Sequence, residues 1–177
     1  MANRRMAARP PPETATAPTI RPAARTDLPH IGRLGALLVA EHHDFDPRRF
    51  LAARNRTPAD YAGFMGTQLD NPNAVILVAE HQGDVIGYAY GTVEGYDYMA
   101  LRGPAGVLQD IIVDPGYRGR GVGRLLLDAM LVNLQARGVP RVVLSTAAGN
   151  EGAQRLFSSA GFRRTMIEMT REMDGGG

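Results

Sequence analysis

Val113-Asp114-Pro115-Gly116-Tyr117-Arg118-Gly119-Arg120-Gly121-Val122-Gly123-Arg124 joins the end of an apolar run to the start of a helical repeat. Upstream, Val107 to Val113 is nearly continuous in apolar residues and of strand length, and Asp114-Pro115-Gly116 ends it. Downstream, Val122, Leu126, Met130 and Leu134 recur at i, i+4, with Leu127 and Leu131 beside them and Gly138 as the stop. Glycines at 119, 121 and 123 keep the joining backbone free of Cβ atoms, so an anion can approach the peptide N–H groups. The helix start aims its unpaired donors and positive dipole end at the same place. Arg118, Arg120 and Arg124 add guanidinium groups able to grip phosphate in two places at once. These features support a phosphate-bearing ligand. The dinucleotide pattern Gly-x-Gly-x-x-Gly fails in both frames, because Arg124 and Leu126 stand where its third glycine belongs. The competing reading is a glycine-rich turn that binds nothing; three glycines with three arginines at one helix start weigh against it.

Working outward, the chain alternates helical and strand signals. Thr19 to Arg21 reads as a short strand, and Leu28, Ile31, Leu34, Leu38 and Val39 as a helix starting near Asp27. His42, His43, Asp44, Phe45, Asp46 and Pro47 break that pattern. Thr57-Pro58 with Asp60 starts a second helix, running to about Leu69. Ala74–Glu80 and Val85–Val93 form a hairpin around His81-Gln82-Gly83-Asp84, and Glu94–Gly106 is a loop. After the central strand and helix come a strand at Arg141–Ser145, a helix capped by Asn150 and ending at Gly161, and a last strand at Arg163–Thr170. The predicted fold class is α/β, a mixed, mostly antiparallel sheet with helices on both faces.

Composition removes several function classes. The 177 residues suit one domain, expected over 19–173 between a Pro/Ala/Arg-rich tail at 1–18 and flexible glycines at 174–177. All 20 of the Lys+Arg residues are arginine, and there is no cysteine. Thiolate metal sites, a cysteine nucleophile, Schiff-base chemistry and a lysine-bearing P-loop are therefore excluded. No apolar run approaches the roughly 20 residues that span a bilayer. The expected location is cytoplasmic, without membrane contact. A net charge of +2 with dispersed arginines gives little support for nucleic acid, although the basic tail keeps that reading in play.

With the motif in place, the sequence resembles the GNAT superfamily of N-acetyltransferases. Their signature Gln/Arg-x-x-Gly-x-Gly/Ala is matched by Arg118-Gly119-Arg120-Gly121-Val122-Gly123. Downstream, Asn150-x-x-Ala153-x-x-Leu156-Phe157-x-x-x-Gly161-Phe162 is close to the family pattern on its next helix. The resemblance covers roughly Ala74 to Thr170. It implies a splayed sheet holding acetyl-CoA as co-substrate, with no metal and with an amine acceptor, either a small molecule or a peptide. The backbone of Ile111, Ile112 and Val113 would pair with the pantetheine arm, and Gly119 to Arg124 would bind the pyrophosphate. Asn150 and Phe157 would lie near the thiol end. A homodimer is common in the superfamily.

Direct attack by the amine on the thioester is the expected mechanism, since the chain offers no thiol, lysine or Gly-x-Ser-x-Gly elbow to carry the acetyl group. A base must first take a proton from the ammonium. Asp110 is the candidate, with bracing of a neighbouring segment as the equal alternative; Glu94 is weaker. Gln109 stands where polyamine acetyltransferases of the superfamily carry a catalytic glutamate, and Phe157 where many members have a proton-donating tyrosine. Tyr96, Tyr98 or Tyr117 could replace that hydroxyl. Tyr96 and Tyr98 are also candidate acceptor contacts, as are His42, His43, Asp44 and Asp46, which read less well as a metal cluster. A non-catalytic acyl-CoA-binding module is the alternative function.

Overall fold

The computed structural model describes residues 17–173. Most of the expected tail and the terminal glycines lie outside the described residues. The order is β1 (Thr19–Pro22), α1 (Leu28–Phe45), α2 (Thr57–Gln68), β2 (Ala74–His81), β3 (Asp84–Glu94), β4 (Ala105–Val113), α3 (Val122–Ala136), β5 (Val142–Leu144) and α4 (Glu151–Ser159). The strands lie side by side in chain order, antiparallel except for the parallel pair β4–β5. This is the expected mixed α/β sheet with helices on both faces.

Alternation along the strands divides the core. Val75, Leu77, Ala79 and Ala89 pack with Leu126, Leu127, Met130 and Leu134 of α3 on one face. Ile76, Val78, Tyr88 and Tyr90 pack with Ile31 and Leu34 of α1 and Met65 of α2 on the other. Strands covered on both faces need apolar side chains at odd and even positions alike, which is why β2 is a continuous apolar run. On the second face, α2 approaches α1 across Gly32 and Gly35. A Cβ at Gly32 would stand 2.3 Å from the Pro58 carbonyl oxygen, and one at Gly35 would stand 2.2 Å from the Tyr61 ring.

Two irregularities mark β4. The β3–β4 register slips between Tyr90 and Gly91: Tyr90 faces Asp110, Gly91 faces Leu108, and Gln109 is the extra residue of a bulge. Leu108 therefore lies in the α3 core, while Gln109 and Asp110 both lie toward α1 and α2. The β4–β5 ladder also stops at Leu108–Leu144, and β4 runs on through Gln109–Val113 with no strand among the described residues on that side.

The structure corrects two expectations. The α1 helix continues through His42, His43, Asp44 and Phe45, because the last turn is closed by the Asp46 amide on the His42 carbonyl and by the His43 Nδ1–Phe50 carbonyl contact at 2.9 Å. Arg163–Thr170 is not a strand. The three-residue β5 offers a short edge, and adjacent Met166 and Ile167 spoil the alternation such an edge would select. Ion pairs instead draw the segment toward the α1–α2 loop: Glu168 meets Arg49, and Glu172 lies 3.4 Å from Arg48.

Candidate active site

A cavity of about 380 Å³ opens where β4 and β5 part. Its walls come from α1 (Leu38, Val39, His42), the α1–α2 loop (Arg49, Phe50, Leu51), Tyr61 of α2 and residues 108–111 of β4. Leu144, Ser145 and Thr146, with Asn150, Ala153 and Phe157 at α4, complete the lining. Leu108 and Ile111 belong to the α3 side and Asp110 to the α1/α2 side, so the bulge brings both halves of the sheet to one opening.

Asp110 is the partly buried carboxylate of this cavity. Its Oδ2 accepts one hydrogen bond from the Tyr61 hydroxyl and a second, at 3.2 Å, from Tyr88. The two tyrosine oxygens are themselves 3.0 Å apart. Burial pushes the Asp110 carboxyl above the usual carboxylate range, against the lowering effect of the two hydroxyls and of nearby His42. Burial likewise raises Tyr61 and Tyr88 well above ordinary phenols, so both remain donors at neutral pH. Asp110 thus braces Tyr61 of α2 against the sheet and borders the cavity.

His42 also borders the cavity. Its Nδ1 contacts the Leu38 carbonyl at 2.9 Å, which makes Nδ1 the protonated nitrogen. Its ring lies edge-on to Phe45 and Phe50. His43 faces Phe50 instead, and the Asp46 carboxylate accepts the Arg48 and Arg49 amides. Among the described residues no group of three His, Asp or Glu side chains is arranged to hold a metal.

The glycine-rich turn sits at the far end of β4. Gly119 and Gly121 have φ of +73° and +82°, in the left-handed region where a side chain is strained. A Cβ at either would meet nothing within 4 Å, so the space beside them is open. The first bond of α3 runs from Leu125 N–H to the Gly121 carbonyl at 3.0 Å, leaving the Val122, Gly123 and Arg124 amides without an intrahelical acceptor. The arginines are partly engaged. Arg118 donates to the Val113 carbonyl at 2.8 Å and to Glu41 at 2.5 Å, Arg124 pairs with Asp128, and Arg120 lies over the Tyr117 ring.

Asn150 Oδ1 caps α4 by accepting the Ala153 amide at 3.0 Å while lining the cavity. Phe157 lines it too, packed edge-on against Phe162. Tyr96 and Tyr98 are not brought to the cavity wall: they stack on each other in the β3–β4 loop, 73% and 77% exposed. Tyr117 packs against His81. The hydroxyls that do line the cavity belong to Tyr61, Ser145 and Thr146. Glu94 is taken up by Arg102 at 2.7 Å and by Gln109 at 3.1 Å.

Sequence reasoning missed Tyr61 and Tyr88. The alternation Tyr88, Tyr90, Thr92 marked one face of β3, but nothing local tied Tyr61, in a helix far back in the chain, to Asp110.

Comparison with known proteins bears on the family and the fold. The Acetyltransferase (GNAT) family profile matches residues 36–162. A mycothiol acetyltransferase of Thermobispora bispora is 36% identical over 100 residues, 54% of this chain and 32% of that protein. The Propionibacterium freudenreichii mycothiol acetyltransferase is 27% identical over 148 residues, 77% of this chain and 46% of its own length. The chain thus spans a third to a half of these relatives. A Clostridium acetobutylicum protein crystallised with acetyl-CoA shares the fold at a TM-score of 0.67 and 16% identity, over 86% of this chain and 96% of that one. The chain belongs to the GNAT acetyltransferase family.

Proposed function

We propose that the chain transfers an acetyl group from acetyl-CoA to a primary amine by direct attack within a ternary complex. The observation that carries this reading is one cavity bounded by the open edge of β4 on one side and a partly buried carboxylate on the other. Beyond Leu108, β4 turns an edge not paired by β5 toward the peptide-like pantetheine arm over Ile111, Ile112 and Val113, with the Val113 carbonyl already taken by Arg118. The amides of Val122, Gly123 and Arg124, with Gly119 to Gly121 open to approach, receive the pyrophosphate; Arg118, Arg120 and Arg124 flank it with charge. Asn150 and Phe157 border the thioester end.

Asp110 acts as the base. Its raised pKa keeps it closer to working pH than an ordinary carboxylate, which improves proton abstraction from the ammonium. The amine nitrogen then bonds to the acetyl carbon, a β4 amide stabilises the developing oxyanion, and the carbon–sulfur bond breaks. The attacking nitrogen gives up its second proton to water, leaving a neutral amide, and the electron pair leaves on the CoA sulfur. Phe157 supplies no proton to it, and a thiolate is a good enough leaving group to depart unaided. The protein is expected to work in the cytoplasm.

Saturating acetyl-CoA, at about one hundred times its Kd, should stabilise the protein by roughly 2.7 kcal/mol in a thermal melt. CoA release with an amine panel should then show turnover that Asp110→Asn removes while the acetyl-CoA shift persists. No acetyl-CoA shift would overturn the proposal. The missing hydroxyl at Phe157 favours a second reading, a non-catalytic acyl-CoA-binding module, for which acetyl-CoA binding without turnover on any amine is the signature.

A further inference from the structure

The half of the cavity beyond Asp110 narrows what the acceptor can be, an inference that rests on the acetyltransferase reading above. Among the described residues Asp110 is the one carboxylate on the lining, where it is joined by His42 and Arg49. Leu38, Val39, Phe50 and Leu51 make the rest of that wall apolar. The Arg49 guanidinium lies 5.0 Å from the Phe50 ring centroid, held there with its Nε on Glu168. Nearby acids are turned to other work: Glu41 pairs with Arg118 at 2.5 Å, and Asp46 accepts backbone amides of its own loop.

We infer that the acceptor is a primary amine carried on an apolar or aromatic body with no second cationic group. One ammonium reaching Asp110 is balanced by that carboxylate. A second would be stripped of water against aliphatic and aromatic side chains, or would meet the like charge of Arg49. Polyamines and aminoglycosides carry several ammonium groups and need several acceptors, which this wall does not provide. The lining discriminates by what it withholds as much as by what it offers. The cavity volume, shared with the thioester end, admits a small amine or the terminal residue of a chain.

The test compares CoA release from acetyl-CoA by the full chain with phenethylamine, 3-methylbutylamine, spermidine and kanamycin. The first two should exceed the last two at least tenfold in kcat/KM. Phe50→Ala should raise KM for phenethylamine severalfold with little change in kcat, because Phe50 touches the body of the amine and not the reacting atoms. Spermidine or kanamycin used as well as the apolar amines would overturn the inference and leave the acetyltransferase reading intact. So would acetyl-CoA binding with no turnover of either apolar amine, or an unchanged phenethylamine KM in Phe50→Ala. Failure of acetyl-CoA to bind would instead remove the reading beneath it.

Discussion

Asp110 is held between opposing influences, and each has a measurable consequence. Burial raises its pKa, while the Tyr61 and Tyr88 hydroxyls lower it. Tyr61→Phe removes a lowering influence, so the acidic limb of the kcat/KM profile should move to higher pH, with lower activity at neutral pH. An acidic limb left in place would mean that Asp110 does not set it. Stability has a definite sign as well. Because the folded pKa lies above the unfolded value of about 3.9, the contribution of Asp110 is favourable at low pH. It is lost as pH rises through the unfolded value to the raised folded one. Thermal melts of Asp110→Asn should therefore show a smaller fall in Tm from pH 4 to pH 8 than the unaltered protein, even as turnover disappears.

The second core face is built from a close approach of two helices. Gly35 leaves the room that the Tyr61 ring fills, so Gly35→Ala must displace either the helix or the ring. Overpacking of this kind costs typically 1–3 kcal/mol, and the displaced Tyr61 should lose its hold on Asp110. Lower Tm together with reduced kcat, measured on one preparation, checks both. The element order as far as α4, the hairpin, the glycine turn and the Asn150 cap were legible in the sequence because each is a local signal: periodicity, glycines at a helix start, an Asx cap. The positions of Tyr61 and Tyr88 were not, because they depend on how α2 crosses the sheet. Nor was the length of α1, whose last turn is closed by contacts with Phe50 rather than by its own pattern. The bulge at Gln109 left no mark on composition, yet it decides which face Asp110 occupies.

Across the whole molecule, the sheet narrows from the long β3 and β4 to the three-residue β5, and Arg163–Met173 adds no strand to it. Met166, Ile167 and Met169 remain exposed, and the segment is tied mainly through charged and polar side chains: Glu168 and Glu172 to Arg49 and Arg48, Arg164 to Gln154. Exposed pairs of this kind are weak and are screened by salt. Deleting the chain after Arg164 should leave Tm nearly unchanged, whereas a strand integral to the sheet would take the fold with it. The same deletion frees Arg49 from Glu168 at the cavity wall. Acceptor KM should respond while acetyl-CoA binding does not.

The extra residue in β4 acts as a wedge. A bulge bends the strand that carries it, and this one begins at the residue where the β4–β5 ladder ends. Excising Gln109 would leave Leu108 opposite Gly91 and Asp110 opposite Tyr90, so every remaining side chain of β4 would keep its face. Excising Ile111 would instead make Asp110 and Ile112 neighbours, and alternation would force one of them off the α1/α2 face. Position 109 is thus where β4 can lose a codon and still fold. The straightened strand could then pair with β5 past Leu144, closing the gap between them. A chain lacking Gln109 should melt cooperatively near the normal Tm yet show no shift with acetyl-CoA.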